Sequence, residues 1–203
     1  MIALIDYGMG NIASIQNMFK RIGNKNVILT KDAQEIDQAE KIILPGVGAF
    51  GNGMQNLHNS QLIDVLRKKA FEDKSPILGI CLGMQLLTRG SEEGNVKGLG
   101  FLNADTKKFV FDASSNLKVP HMGWNYLRQK KQSELINNTT KQKFYFVHSY
   151  YVKCDDADDV IATCQHGIEF DCVVNHGNIF GAQFHPEKSH KFGMELFDNF
   201  SKL

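Results

Sequence analysis

Apolar residues follow two rhythms along this chain, and the rhythm changes near its middle. In the first half, short apolar runs alternate with stretches in which apolar side chains recur every three or four positions. Ile2–Asp6, Val27–Thr30, Lys41–Leu44 and Pro76-Ile77-Leu78 are predicted strands. Ile12, Ile15, Met18, Phe19 and Ile22 make one helical face that stops at Gly23, and Leu62, Ile63, Val65, Leu66 and Ala70 mark a second amphipathic helix. This alternation predicts an α/β fold: an open, mainly parallel sheet with helices on both faces and sites beyond the C-terminal strand ends. The second half is richer in strands: Leu99–Asn103, Lys107–Phe111, Phe144–Val147, Val160–Cys164, Phe170–Val174 and Ile179–Phe184. Several are joined by short turns, as expected of antiparallel pairs, with Asn175-His176-Gly177-Asn178 a predicted hairpin turn. A closing helix begins near Ser189 and turns Phe192, Leu196 and Phe200 inward. The absence of repeats, low-complexity segments or linkers predicts a single domain over residues 1–203.

Bulk properties narrow the partners. A chain of 203 residues suits one core that buries about 70% of the unfolded surface. A net charge of +1 without blocks of like charge suggests neither nucleic acid nor a membrane surface. The chain opens directly on an apolar strand, without a charged leader, and has no apolar stretch of about 18 residues that would span a bilayer. Cys81, Cys154, Cys164 and Cys172 show no dense disulfide spacing, so a reducing cytoplasm is expected. Cys154, Cys164, His166, Cys172 and His176 follow no zinc spacing, and no metal or cofactor is expected. Ser201-Lys202-Leu203 matches a peroxisomal address but reads as the end of a helix, and Asn138-Thr139-Thr140 matches a glycosylation acceptor that has no role inside a cell.

The candidate chemistry begins at Gly79-Ile80-Cys81-Leu82-Gly83-Met84-Gln85, where a predicted strand turns into a helix over Leu82–Leu87. A side chain at such a turn stands above the sheet, and flanking glycines leave room for the tight backbone, so Cys81 reads as a nucleophile. The helix N-terminus favours its thiolate. The plainer alternative is a core cysteine in a glycine-rich turn. Gln85 lies one helical turn beyond Cys81, placing its amide to hold a polar substrate unless it is an ordinary exposed glutamine. Gly46 to Gly51 match G-x-G-x-x-G after the strand Lys41–Leu44. That loop reads best as a source of backbone N–H groups for an oxyanion, with a plain turn or a dinucleotide site as alternatives. Downstream, Phe184-His185-Pro186-Glu187 offers a general base and a carboxylate. In an extended segment i and i+2 point the same way, which would set Glu187 beside His185 and fix its tautomer.

Together these motifs resemble class I glutamine amidotransferases, marked by G-x-C-x-G-x-Q and a distant His-Pro-Glu. Asp6-Tyr7-Gly8-Met9-Gly10-Asn11, Leu44-Pro45-Gly46-Val47-Gly48, Pro120-His121-Met122-Gly123-Trp124-Asn125, Phe146-Val147-His148-Ser149-Tyr150 and Gln183-Phe184-His185-Pro186-Glu187-Lys188-Ser189 are similar to the branch of glutaminase subunits of imidazole glycerol phosphate synthase. The resemblance implies a flavodoxin-like sheet and a thioester mechanism with Cys81, His185 and Glu187 as the triad. It implies an oxyanion hole from Val47, Gly48 and Leu82, and glutamine binding by Gly48, Gln85, Glu93 and Ser149. It further implies delivery of ammonia to a cyclase (βα)8-barrel subunit as a heterodimer, with Asn11, His121, Trp124, Tyr145 and Lys188 on or near the partner face. Members of this branch are weak glutaminases until the partner binds its own ligand. After Asn11 the chain reads Ile12-Ala13-Ser14-Ile15, where the branch usually has Leu, often then a basic residue, before Ser-Val; this departure keeps open a related branch that supplies ammonia for sugar modification in surface polysaccharides. A non-catalytic regulatory subunit and a free-standing cysteine hydrolase are the readings from other classes.

Overall fold

The computed structural model describes residues 1–112, 114–136 and 141–203; the acceptor motif Asn138–Thr140 lies outside them. The first half folds as β1 (Ile2–Ile5), α1 (Ile12–Arg21), β2 (Val27–Thr30), α2 (Ala33–Gln38), β3 (Lys41–Leu44), α3 (Phe50–Asn59), α4 (Ile63–Phe71), β4 (Ile77–Ile80) and α5 (Leu82–Leu86). The second half holds β5 (Gly90–Ser91), β6 (Val96–Lys97), β7 (Ala104–Lys108), β8 (His121–Tyr126), β9 (Arg128–Gln129), β10 (Lys143–His148), β11 (Tyr150–Cys154), β12 (Val160–His166), β13 (Ile168–His176), β14 (Ile179–Ala182) and α6 (His190–Lys202).

The main sheet runs β2-β1-β3-β4-β14-β13-β11-β7-β5-β6. Its first five strands are parallel, and β14 joins them by pairing with β4. From β13 to β7 the pairing is antiparallel, as the change of rhythm predicts. The expected hairpin turn is present between β13 and β14, where Gly177 takes φ +56° and Asn175 Nδ2 donates to the Gly177 carbonyl. β8 and β10 form a separate antiparallel ribbon.

β1, β3, β4 and β14 are buried between two helical layers. Leu4, Ile43, Leu78 and Ala182 face a core shared with Ile15, Met18 and Phe19 of α1 and Leu196, Phe197 and Phe200 of α6. Ala3, Ile42, Leu44, Ile77 and Ile179 face the other core, with Ile36 of α2, Leu57 of α3, Leu66 of α4 and Met84 of α5. Burial on both faces explains why these strands read as unbroken apolar runs. Phe19 and Phe197 pack at 4.9 Å between ring centroids, locking α1 to α6. Among the described residues no helix is long and apolar enough to cross a membrane.

Several expected elements move. Leu99–Asn103 is not a strand: Leu99, Phe101 and Leu102 are buried, and their amides donate to the carbonyls of Leu86 and Leu87. The run therefore closes the C-terminal end of α5, where carbonyls lack intrahelical partners. The strand predicted at Lys107–Phe111 lies at Ala104–Lys108, and Phe109 leaves it to enter an aromatic cluster with Tyr151 and Phe170. The strand before Cys81 extends through Gly79 and Ile80.

Paired glycines bring α5 onto the sheet. Gly79 and Gly181 are partners across β4 and β14, and a Cβ on either would sit within 2.7 Å of Met84. Gly83 is tighter still, since its Cβ would lie 1.8 Å from the Leu44 carbonyl oxygen at the end of β3. Gly83→Ala should lower the unfolding free energy by about 3 kcal/mol, the upper range for overpacking against backbone. Urea denaturation checks this; an unchanged midpoint would contradict the contact.

Candidate active site

The C-terminal ends of β1, β3, β4 and β14 converge, and their following turns hold the expected chemistry. β4 ends at Ile80, and Cys81 takes φ 52°, ψ −108° before α5 begins. A non-glycine residue there costs on the order of 1–3 kcal/mol, and the surroundings hold it in place. Its amide donates to the Ala182 carbonyl at 2.7 Å, tying the elbow to the end of β14. α5 has only five residues, shorter than expected, so its free first-turn amides matter more to an anion at Cys81 than any long-helix dipole.

His185 lies beyond β14, with its Nδ1 2.8 Å from Glu187 Oε1. The route differs from the extended segment expected: Pro186–Lys188 is a 3-10 turn, and the glutamate reaches back to the ring from within it. Both side chains are buried, 1% and 2% exposed. The corner is clamped to β10, because the His185 amide donates to the Tyr145 carbonyl and the Ser189 hydroxyl donates to the His185 carbonyl. An ionised carboxylate accepts from Nδ1–H, which leaves Nε2 to face the cysteine. That Nε2 is buried without a completed hydrogen bond. Burial opposes charge on the ring, but the neighbouring Cys81 sulfur and the Glu187 carboxylate outweigh it and push the imidazole up to about 10.

A cleft of about 660 Å³ collects Asn11, Val47, Gly48, Cys81, Leu82, Gln85, Glu93, Ser149, His185 and Lys188. A wider cleft of about 850 Å³, lined by residues such as Lys131, Glu134 and Asn199, holds none of the residues expected at the site. Glu187 sits behind His185, outside the cleft. Gln85 is buried, and its Nε2 donates to the Tyr150 carbonyl at 3.0 Å and to Gln183 Oε1 at 3.1 Å, so its amide nitrogen is engaged by the protein. Glu93 Oε2 accepts from the Phe50 amide at the start of α3. The Pro45–Gly48 loop is anchored by Tyr7, whose hydroxyl donates to the Pro45 carbonyl at 2.5 Å. Burial and the nearby Cys81 raise the phenol far above its ordinary range, so Tyr7 stays a donor. Gly48, at φ +109°, marks where this loop turns.

The other expected positions lie to one side. Trp124 is 43% exposed, stacks on His190 and meets Tyr145 edge-on; Lys188 Nζ stands 5.7 Å over the Tyr145 ring. Met122 and Tyr126 project from the same strand and are also exposed. His121 is the exception, since alternation along β8 turns it inward. It is 5% exposed, bonds to His148 and stacks on His166, so it underlies the surface rather than forming it. Tyr7, His148 and Gln183 were not singled out by sequence; each stands inside a motif quoted above, but only the fold brings it to the cysteine. Among the described residues no cluster of His, Cys, Asp or Glu could hold a metal ion.

Residues 3–203 match the family "Glutamine amidotransferase class-I". The chain is 54% identical over 203 residues to "Imidazole glycerol phosphate synthase subunit HisH 2" of Methanococcus maripaludis, covering 100% of this chain and 99% of the relative. It is 48% identical over 204 residues to the subunit of the same name from Pseudomonas aeruginosa, covering all of both. A solved structure described as a glutamine amidotransferase superposes with a TM-score of 0.77 over 100% of this chain and 98% of that one; at 16% identity it speaks for the fold alone.

The charged His185 is directly measurable. Its ring resonances should titrate with a midpoint near 10, and Glu187→Gln should lower that midpoint by removing the carboxylate that favours the imidazolium. The unfolded ring releases its proton near 6.5, so the pair's contribution to stability is complete below 6.5 and is lost as pH rises through about 10. A native midpoint near 6.5 would contradict the pairing.

Proposed function

The chain belongs to the class-I glutamine amidotransferases, and from that premise we propose that it is the glutaminase subunit of an imidazole glycerol phosphate synthase, acting in histidine biosynthesis. The observation that carries the site assignment is that Cys81 and His185 line one cleft together with the glycine loop, while Glu187 bonds His185 from behind. The two apolar clusters on opposite faces of one sheet support reading residues 1–203 as one domain. Four cysteines that are all free support a reducing cytoplasm.

In this reading the substrate is L-glutamine. The Cys81 sulfur attacks its side-chain amide carbon, and the oxygen takes up negative charge between the backbone N–H groups of Leu82 and the Val47–Gly48 loop. His185 gives the Nε2 proton to the departing nitrogen, so ammonia leaves and a glutamyl thioester remains on Cys81. The ring, now neutral at Nε2, takes a proton from water as that water attacks the thioester. Glutamate leaves, Cys81 is regenerated, and the imidazolium is restored. Glu187 holds the tautomer throughout. Glu93, Ser149 and Gly48 line the part of the cleft that would receive the amino-acid end, with Gln85 buttressing its wall.

Ammonia would pass to a cyclase (βα)8-barrel subunit. The names of the relatives, both subunits of that synthase, and the exposed Trp124 face beside the cleft support this heterodimer. Tyr145 and Lys188 pack beside Trp124 on that face, Asn11 lines the adjoining cleft, and His121 supports the face from beneath.

Ammonia and glutamate release, measured with and without a barrel partner carrying its nucleotide substrate, tests the assignment. Strong stimulation by the liganded partner supports it; glutamine turnover that no barrel changes would overturn the pathway. Cys81→Ala should abolish hydrolysis while leaving the unfolding midpoint near the wild type. Glu187→Gln should lower kcat roughly a hundred- to ten-thousand-fold, the span of general acid–base and tautomer effects; an unchanged kcat would remove Glu187 from the triad.

A further inference from the structure

A buried glutamine that the mechanism above does not use touches the nucleophile. Gln183 follows β14, is fully buried, and places its Nε2 3.7 Å from Cys81 Sγ. Which end of a side-chain amide faces a neighbour is decided by the bonds around it, and here the bonds leave one choice. The Tyr150 carbonyl can only accept, so Gln85 must point its NH2 group there. The same NH2 group lies 3.1 Å from Gln183, which must answer with its oxygen. The donor end of Gln183 is therefore turned to the sulfur.

A second run of donors reaches the same Tyr150 carbonyl from the other side. His148 Nδ1 stands 2.7 Å from the Tyr150 carbonyl and must donate to it. Its Nε2 then accepts from His121 Nδ1 at 3.0 Å, and His121 Nε2 accepts from Asn125 on the ribbon strand β8. Burial pushes His148 down to about 3 and His121 down to about 4, so both rings stay neutral and keep these tautomers at ordinary pH.

We infer that Gln183 is a further residue of the active site, a fixed hydrogen-bond donor that stabilises negative charge on Cys81 Sγ. A donor beside sulfur favours the thiolate over the thiol. Its orientation is set by Gln85 and the Tyr150 carbonyl rather than by the substrate, so it is in place before glutamine binds. The inference rests on reading Cys81 as the nucleophile. Tyr7 and His185 are the titratable groups next to Cys81, with Glu187 behind the latter and His148 one link away; Glu93, Tyr150 and Lys188 line the same cleft.

The test is the pH profile of Cys81 alkylation by iodoacetamide, followed by peptide mapping so that Cys154, Cys164 and Cys172 are read separately. Gln183→Glu keeps the size and the acceptor toward Gln85 but sets a carboxylate against the sulfur. It should move the profile about one pH unit alkaline, an approximately tenfold slower reaction along the acidic limb of that profile. Gln183→Leu removes the donor without adding charge and should move it less, in the same direction. A merely structural role would change unfolding midpoints without displacing the profile. Profiles that superpose on the wild type in folded variants would overturn the inference. Should neither variant fold, the Gln183 side-chain amide resonance decides: Cys81→Ala should shift it, and an unmoved resonance overturns the proposal. Because alkylation needs neither glutamine nor a partner, wild-type protein that fails to hydrolyse glutamine would defeat the proposed function while leaving this result readable.

Discussion

The contact on which the site depends is backbone against backbone: the Leu82–Gly83 turn pressed onto the end of β3. The Leu44 carbonyl occupies the space a Cβ on Gly83 would need, and a Cβ on Gly46 would collide with the Gly83 amide and Leu82. Two adjacent parallel strands thus end in turns that interlock through missing side chains. This holds Cys81 at a positive φ that its own preferences oppose, and sets the glycine loop beside it. Pairing of β14 with β4, through the Gly79–Gly181 match and the Cys81 amide, then brings the histidine corner to the same point.

Upon that frame, three buried histidines are given opposite charge states by their partners. His121 and His148 meet each other, an amide and a carbonyl, so burial wins and both stay neutral. His185 meets a carboxylate and a sulfur, and these outweigh burial. The neutral pair serves as a fixed chain of donors and acceptors, whereas the charged ring has a proton to give. In the proposed reaction, its Nε2, buried without a partner, is the atom that gives the proton to the leaving group. The β8–β10 ribbon joins the two functions, since it carries both the neutral chain and the backbone that clamps His185.

Legibility in the sequence followed the physics of burial. Strands packed on both faces announced themselves as apolar runs, and Cys81, His185 and Glu187 stood in turns bounded by Gly or Pro. β8 was missed because it inverts the usual pattern, exposing Met122, Trp124 and Tyr126 while burying His121. α2 has one buried residue, Ile36, and only the cap at Asp32, which accepts from the Gln34 and Glu35 amides, could have signalled it. α3 is diluted by two glycines. Leu99–Asn103 misled because its apolar side chains are buried while its amides serve the end of α5. Gln183 was hidden in a strand-like run, since a hydrogen bond between residues 102 positions apart leaves no local trace.

The central claim is that the fold makes Cys81, alone among four cysteines, a nucleophile poised for a γ-glutamyl group. The most direct measurement is mass-spectrometric mapping of the adduct formed by a glutamine-analogue electrophile at neutral pH. The account predicts stoichiometric modification of Cys81, prevented by excess glutamine, with Cys154, Cys164 and Cys172 untouched. Modification spread over the other cysteines, or a Cys81 adduct that glutamine does not protect, would contradict it.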